Sequence, residues 1–181
     1  MSRISDNRKY TRKIVFAAVL SALSFVLLFI GSATSVLDLT MVAACAFCSI
    51  LAVIELKRPF PILIWLVTGV LSLLLLPDKF TAVEYILFGG IYPIIKRIAE
   101  MIKNKPLSWL VKLGYFNLSL TAAIAVAKFI MNLPDDYGMT FSVWVYVLAN
   151  VFFVMTDVCL SLLITIYLMK LRSRLKIDKL I

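Results

Sequence analysis

The chain is organised around its first long apolar run, residues 14–30, which reads IVFAAVLSALSFVLLFI. The run holds 17 residues without a charge, and the basic cluster Thr11-Arg12-Lys13 precedes it. An uncharged apolar segment of this length with positive charge before it is typical of a membrane-spanning helix. The sequence therefore predicts that the first helix crosses a lipid bilayer.

Composition places the whole chain in the same class. Its 181 residues are 62% hydrophobic, and a mean hydropathy of +1.00 lies outside the range of soluble domains. The net charge of +9 would suggest nucleic-acid binding in a soluble domain, but here we expect the cations to mark one side of a membrane. We therefore expect a single transmembrane domain, multi-pass in the cell membrane, surrounded by the lipid bilayer and without a nucleic-acid partner.

The apolar runs predict an all-α bundle of six transmembrane helices. The spans lie at about 14–30, 37–56, 60–76, 80–95, 106–132 and 140–169. The small residues Gly31 to Ser35 are expected to form the first turn, and Ile98 to Lys105 an amphipathic connector. The fourth span is the weakest, because Gly89-Gly90 and Pro93 interrupt it. Such a break leaves backbone groups that only protein, water or a bound molecule can satisfy.

Positive charge predicts the orientation of the bundle. Short cytoplasmic loops of membrane proteins collect lysine and arginine. With six spans and the amino terminus in the cytoplasm, all of the 19 lysines and arginines except Lys79 and Lys128 fall on the cytoplasmic side. Both termini are therefore predicted to lie inside the cell.

Small residues occupy one face of the first helix. Ala17, Ala18, Ser21 and Ala22 are separated by helical spacings of three and four. A face of this kind lets another helix approach closely. The approaching helix belongs either to this chain or to a second protein, and the pattern alone leaves both possibilities open.

Three polar residues lie deep within the predicted fifth and sixth spans. Asp157 is expected in the inner half of the membrane, where a carboxylate normally faces the protein interior with a partner. It is either an ion or proton site, or a buried carboxyl bonded to Thr156, Ser161 or a facing helix. Asn117 and Asn150 either bond between helices or contact a ligand.

A second group of polar residues is expected nearer the outer side. Glu84, Tyr85 and Tyr92 accompany the broken fourth span. Lys128 is embedded near the outer end of the fifth span, where it snorkels outward, pairs with Glu84 or contacts a ligand.

The residues give no catalytic arrangement. The chain has no histidine, so no Ser-His or Cys-His pair is possible. Cys45 and Cys48 have the spacing of a redox or zinc half-site, but there is no second half, and we interpret them as packing residues. We expect no enzymatic activity, no metal site and no cofactor.

Residues 11–39 resemble a family of transporter subunits. Thr11 to Leu23 is similar to the opening of the substrate-binding S components of energy-coupling factor (ECF) vitamin transporters. In that family a basic residue precedes a first helix bearing Ala-x-x-x-Ala, here Ala18 and Ala22. Leu37-Asp38-Leu39 is similar to the family's entry into its second helix.

The resemblance implies a membrane subunit that captures a small molecule, often a vitamin, from outside the cell. Such a subunit would dock its Ala18 and Ala22 face on a membrane coupling subunit driven by two ATPases. We expect an outward-facing substrate pocket formed by spans four to six, with the following candidate residues: Glu84, Tyr85, Tyr92, Lys128, Asn150 and Asp157. The alternatives are a structural or assembly membrane protein without transport activity, and a small ion-coupled carrier that depends on Asp157.

Overall fold

The structure is a computed structural model that describes residues 2–34, 37–56, 59–130 and 142–171. Every regular element in these ranges is helical. The α-helices are α1 (Ser2–Thr34), α2 (Asp38–Glu55), α3 (Phe60–Leu75), α4 (Lys79–Glu84), α5 (Tyr92–Glu100), α6 (Lys105–Ala125) and α7 (Val143–Ile166). Three π-helical turns accompany them: Tyr85–Gly89 after α4, Val126–Ile130 after α6 and Tyr167–Leu171 after α7.

Within the described ranges, four helical stretches are long and apolar enough to cross a membrane. They are Tyr10–Thr34, Asp38–Glu55, Lys105–Phe129 and Val143–Lys170. Helix α3 is also apolar, but its 16 residues span only about 24 Å. The prediction of an all-α protein with membrane-spanning helices is confirmed to this extent.

Contacts between helices define two ends of the bundle. At one end the ring of Tyr10 in α1 packs on Phe60 in α3, with centroids 5.8 Å apart. We name this the Tyr10 end. At the other, the backbone N–H of Asp78 donates a hydrogen bond to Ser32 Oγ at 2.9 Å, joining the end of α1 to the start of α4. We name this the Asp78 end.

Helix α2 is the central helix of the bundle, because it belongs to three buried clusters of the described residues. The first joins it to α1 and α3 and contains Ala17, Leu20, Cys48, Ala52, Leu56, Phe60 and Ile64. The second joins it to α1, to α4 and to the π turn after α4, and contains Leu28, Val42, Cys45, Leu76, Ala82 and Tyr85. The third joins it to α5 and α7 and contains Ala46, Ile50, Tyr92, Phe153 and Leu160.

The fourth predicted span is interrupted where the sequence predicts. Pro93 falls in the first turn of α5, where its missing N–H removes no helical hydrogen bond. A Cβ atom added at Gly89 would lie 2.9 Å from both Cγ1 and the carbonyl oxygen of Val42, and one added at Gly90 would lie 2.2 Å from Cδ1 of Trp65. The break is therefore packed closely against α2 and α3.

Two predicted boundaries are wrong. Gly31 to Thr34 continue α1 instead of forming a turn, and the Thr34 hydroxyl donates to the Ile30 carbonyl at 2.9 Å within the helix. Gly31 lets α1 pass close to α2, since a Cβ there would lie 2.9 Å from Met41 Cβ. Helix α5 continues to Glu100. It therefore extends beyond residue 95, the predicted end of the fourth span, and includes the first residues of the predicted connector Ile98 to Lys105.

Other predicted boundaries lie outside the described residues. These are Ser35 in the first turn, the end of the fifth span at residue 132, and the start of the sixth at residue 140. Within the described ranges, α2 and α3 match the predicted second and third spans to within one residue at each end.

Candidate functional site

A buried group of charged residues lies between α5, α6 and α7, with the Asp157 carboxylate at its centre. Asp157 is only 2% exposed, and its Oδ2 pairs with Lys112 Nζ at 2.9 Å. Its Oδ1 accepts hydrogen bonds from Lys96 Nζ and from the Tyr92 hydroxyl. Both carboxylate oxygens are thus bonded to other helices. We name Tyr92, Lys96, Glu100, Lys112 and Asp157 the ion network.

Helical spacing explains why α5 supplies three members. Tyr92, Lys96 and Glu100 follow one another at intervals of four, so they share one face of the helix. Lys96 Nζ lies 3.0 Å from Glu100 Oε1, and Lys112 Nζ lies 3.4 Å from the same oxygen. The Glu100 side chain is 47% exposed. The ion network therefore reaches from the interior to the surface.

The formal charges of the ion network balance, with two ammonium groups facing two carboxylates. An isolated carboxylate inside a membrane is unfavourable by about 2.5–3.5 kcal/mol on insertion scales, so it requires partners. Ser161 adds further bonds: its Oγ accepts from Lys96 Nζ at 2.7 Å and donates to the Asp157 carbonyl at 2.9 Å. Asp157 is thus a buried carboxyl bonded to facing helices. This matches the second of the two interpretations given for it from the sequence.

Three phenylalanines form a layer over the ion network. Phe88, Phe116 and Phe153 each lie four residues from a network member along the chain, in the direction of the Asp78 end. Their ring centroids are 4.4 to 5.9 Å apart. We name them the aromatic layer, and they separate the ion network from the half of the bundle nearer the Asp78 end.

Of the candidate residues, the structure brings Tyr92 and Asp157 into direct contact. It adds Lys96 and Lys112, which the sequence indicates only as cations of the cytoplasmic side and not as site residues. Their side chains are 2% and 6% exposed and bonded to Asp157. Two features of the sequence could have identified Lys96 as a site residue. It lies four residues after Tyr92, on the same face of a helix, and a buried acid such as Asp157 requires a cation as its partner.

Glu84 and Tyr85 lie on the other side of the aromatic layer. Glu84 ends α4 and Tyr85 begins the π turn that follows. The Oε2 atom of Glu84 is buried without a hydrogen-bond partner among the described residues. The Tyr85 hydroxyl is also buried, and the hydroxyl groups of Ser49 and Thr68 lie beside it. Buried polar atoms are normally paired with protein or ordered water, so Glu84 Oε2 lacks the partner that such an atom usually has.

Asn150 is engaged with α6. Asn150 and Asn117 exchange two amide hydrogen bonds, at 3.0 and 2.9 Å, and Asn150 Nδ2 also donates to the Tyr146 carbonyl at 2.8 Å. The interhelical pairing expected from the sequence is confirmed. Lys128 lies partly buried in the π turn after α6. Ligand contacts by Lys128 and Asn150 stay predictions.

The small-residue face of α1 is divided between internal packing and an open groove. Ala17 and Ser21 are buried, whereas Ala18 and Ala22 are exposed. All four line a groove of about 400 Å³ between α1 and α3, together with apolar side chains of α3 such as Leu63. Internal packing is therefore observed for Ala17 and Ser21, and packing of a second protein on Ala18 and Ala22 stays a prediction.

No family model matches the chain, and no curated protein or solved structure matches it significantly. The described geometry offers two binding features. The ion network presents two ammonium groups, and an anion reaching Lys96 and Lys112 would have to replace Asp157 or Glu100. The groove presents an apolar surface on which a helix can pack.

Proposed function

We propose that the chain is the small-molecule-binding membrane subunit of an uptake transporter of the ECF type. The observation that carries this proposal is the groove between α1 and α3. Its open part exposes Ala18 and Ala22, the residues on which the resemblance depends. Small exposed residues let a second helix approach closely, so a helix of a membrane coupling subunit with attached ATPases packs there in our proposal.

Six spans with both termini in the cytoplasm are part of the proposal. Helix α3 and the α4–α5 segment have to cross in addition to the four long helices. Both run along the bundle: α3 starts at the Tyr10 end, and the segment that begins after Asp78 brings Arg97 to within 3.1 Å of the Val53 carbonyl near the end of α2. Exposed cations at the Tyr10 end, including Arg97 and Lys103, support a cytoplasmic location for that end.

Cysteine labelling tests this topology. In sealed cells, K79C at the Asp78 end is expected to react with a membrane-impermeant maleimide, and the matched variant K103C is expected to react only after the membrane is opened. Both positions are exposed, so reactivity reports the side of the membrane. Labelling of K103C in sealed cells would contradict the proposed orientation.

The substrate site in our proposal lies on the Asp78 side of the aromatic layer, facing the cell exterior. The buried Oε2 atom of Glu84, which has no hydrogen-bond partner among the described residues, supports this placement. Lys128 and Asn150 approach the same half from α6 and α7. The Tyr92 ring stacks on Phe88 with centroids 5.1 Å apart, and its hydroxyl donates a hydrogen bond to Asp157 Oδ1. Tyr92 thus connects the aromatic layer to the ion network.

Bulky residues in the groove test the docking. The double variant A18W/A22W is expected to lose copurification with an ATPase-bearing membrane complex, because indole rings fill the space that a partner helix needs. The matched control is L23W/I30W, which places the same rings on the exposed face of α1 outside the groove lining. ATPase activity and protein mass spectrometry of the eluate are the measurements.

An A18W/A22W variant that folds and keeps the ATPases would count against the docking proposal. Loss of the ATPases in the control as well would point to general disruption of α1. Only a loss confined to the groove variant supports docking.

A structural or assembly role is the second candidate, and one observation favours it. The region around Gly89 and Gly90 is filled by Val42, Trp65 and Tyr85 instead of being open. A protein that only holds a larger complex together needs helix faces and no ligand cavity. In that case the groove binds a helix of the complex, and the eluate contains no ATPase.

A further inference from the structure

A second crevice, lined mainly by apolar side chains, lies at the Tyr10 end. It has a volume of about 470 Å³ and is bounded by the end of α2, the start of α3 and the end of α5. Its wall includes Ile62, Ile98 and Met101, all of them exposed large hydrophobic residues. The charged residue in its lining is Arg97.

Arg97 is held in place by the backbone of α2. Its Nη1 donates to the Val53 carbonyl at 3.1 Å. Val53 lies in the last turn of α2, where carbonyl groups lack intrahelical partners and carry partial negative charge. The bond occupies one of the guanidinium donors, and among the described residues no partner is seen for the others. These N–H groups can therefore bind two oxygens of an anion such as a phosphate.

The acids of the neighbouring elements are already engaged. Asp157 and Glu100 pair with Lys96 and Lys112, and Glu55 in the last turn of α2 accepts a hydrogen bond from the Tyr167 hydroxyl at 3.0 Å. No acidic residue lines the crevice itself among the described residues. An anionic group that reaches Arg97 therefore meets a cation without a competing carboxylate in the crevice lining.

We propose that this crevice binds one anionic phospholipid, with its phosphate on Arg97 and an acyl chain along Ile62, Ile98 and Met101. A free phosphate ion would use the guanidinium and leave the apolar wall uncovered, whereas a lipid covers both. Basic pockets between membrane helices on the cytoplasmic side recognise anionic head groups in this way. The inference requires that the chain lies in a bilayer, and it does not depend on an ATPase partner.

Native mass spectrometry of the full-length protein in mild detergent tests the proposal. The protein is titrated with phosphatidylglycerol or with phosphatidylcholine, and the fraction carrying one bound lipid is measured. We expect about tenfold tighter retention of phosphatidylglycerol, the size of effect that a charge-assisted hydrogen bond gives. R97Q is expected to abolish this preference, whereas K103Q, which removes an exposed cation outside the crevice lining, is expected to preserve it.

Three outcomes would overturn the proposal. The first is an unchanged lipid preference in R97Q. The second is an equal loss in K103Q, which would indicate diffuse attraction to the basic surface. The third is displacement of the lipid by millimolar inorganic phosphate, which would indicate a site for the free ion.

A second variant, which keeps Arg97, tests the proposal if R97Q does not fold. I98W fills the apolar wall from an exposed position and leaves Arg97 intact. We expect it to bind phosphatidylglycerol about tenfold more weakly than the wild type, because the acyl chain loses its place. Wild-type retention by I98W would overturn the proposal by itself.

Discussion

The D157N variant is expected to lose about 3–5 kcal/mol of folding stability, the usual result of removing one partner from a buried ion pair. The asparagine amide carries no charge, so the ammonium groups of Lys96 and Lys112 lose the carboxylate that both contact. These amines lie inside the bundle, where water does not compensate for the loss. The measurement is the thermal unfolding midpoint in mild detergent, followed by tryptophan fluorescence and size-exclusion chromatography.

The control is E100Q, which removes the other acid of the ion network. Glu100 contacts the same two lysines, but its side chain is 47% exposed, so water replaces much of the lost interaction. We expect E100Q to lose no more than about 1 kcal/mol, as for a surface ion pair. Equal stability of D157N and E100Q would show that Asp157 does not hold the three helices together.

The D157N variant also tests the alternative that the chain is an ion-coupled carrier. That alternative requires Asp157 to exchange a proton or an ion during transport. A folded D157N protein that still supports uptake would remove it. The geometry weighs against such an exchange, because a proton or ion would have to displace the two lysines that are bonded to the carboxylate.

The helix bounds predicted from the sequence were most accurate where charged residues or proline end the helix. Leu37 to Leu56 and Phe60 to Leu76 are bounded by charged residues and proline, and the structure follows both ranges closely. The break in the fourth span was equally visible, because glycine pairs and proline act on the backbone directly. These features depend on neighbouring residues, so a single sequence is enough to find them.

Features that depend on distant contacts were missed. A lysine beside an arginine at the end of an apolar run is typical of the cytoplasmic side of a membrane, and Lys96 was counted there without any expectation that its side chain is buried. Its burial depends on Asp157, which lies 61 residues further along the chain. Gly31 gave a similar error, because a small residue after an apolar run is typical of a turn. Here it instead allows close contact with Met41 in α2.

The candidate site was therefore predicted in part. Intramembrane polarity identified Asp157, and the broken span identified Tyr92, which the structure joins by a hydrogen bond. The same reasoning did not separate Glu84 and Tyr85 from them. That separation depends on the aromatic layer, whose three phenylalanines come from three different segments of the chain.

The G90A variant is expected to lose about 2 kcal/mol of stability through overpacking. A Cβ atom at this position would lie 2.2 Å from Cδ1 of Trp65. The indole ring has to move away, and its Nε1 hydrogen bond to the Ile86 carbonyl, now 3.0 Å long, is strained or lost. G89A is expected to behave similarly, because its Cβ would lie 2.9 Å from the backbone oxygen of Val42, which cannot rotate aside.

G114A is the matched control, because it makes the same substitution inside α6 where a Cβ would meet nothing within 4 Å. There we expect a gain of about 0.5–1 kcal/mol from the better helix propensity of alanine. Thermal unfolding midpoints of the three variants in one detergent give the comparison. A neutral or stabilising effect at both Gly89 and Gly90 would mean that the break yields to an added methyl group. Close packing at Gly89 and Gly90 would then no longer favour a structural or assembly role for the protein. A ligand pocket between this segment and α2 would become the better explanation of the interrupted span.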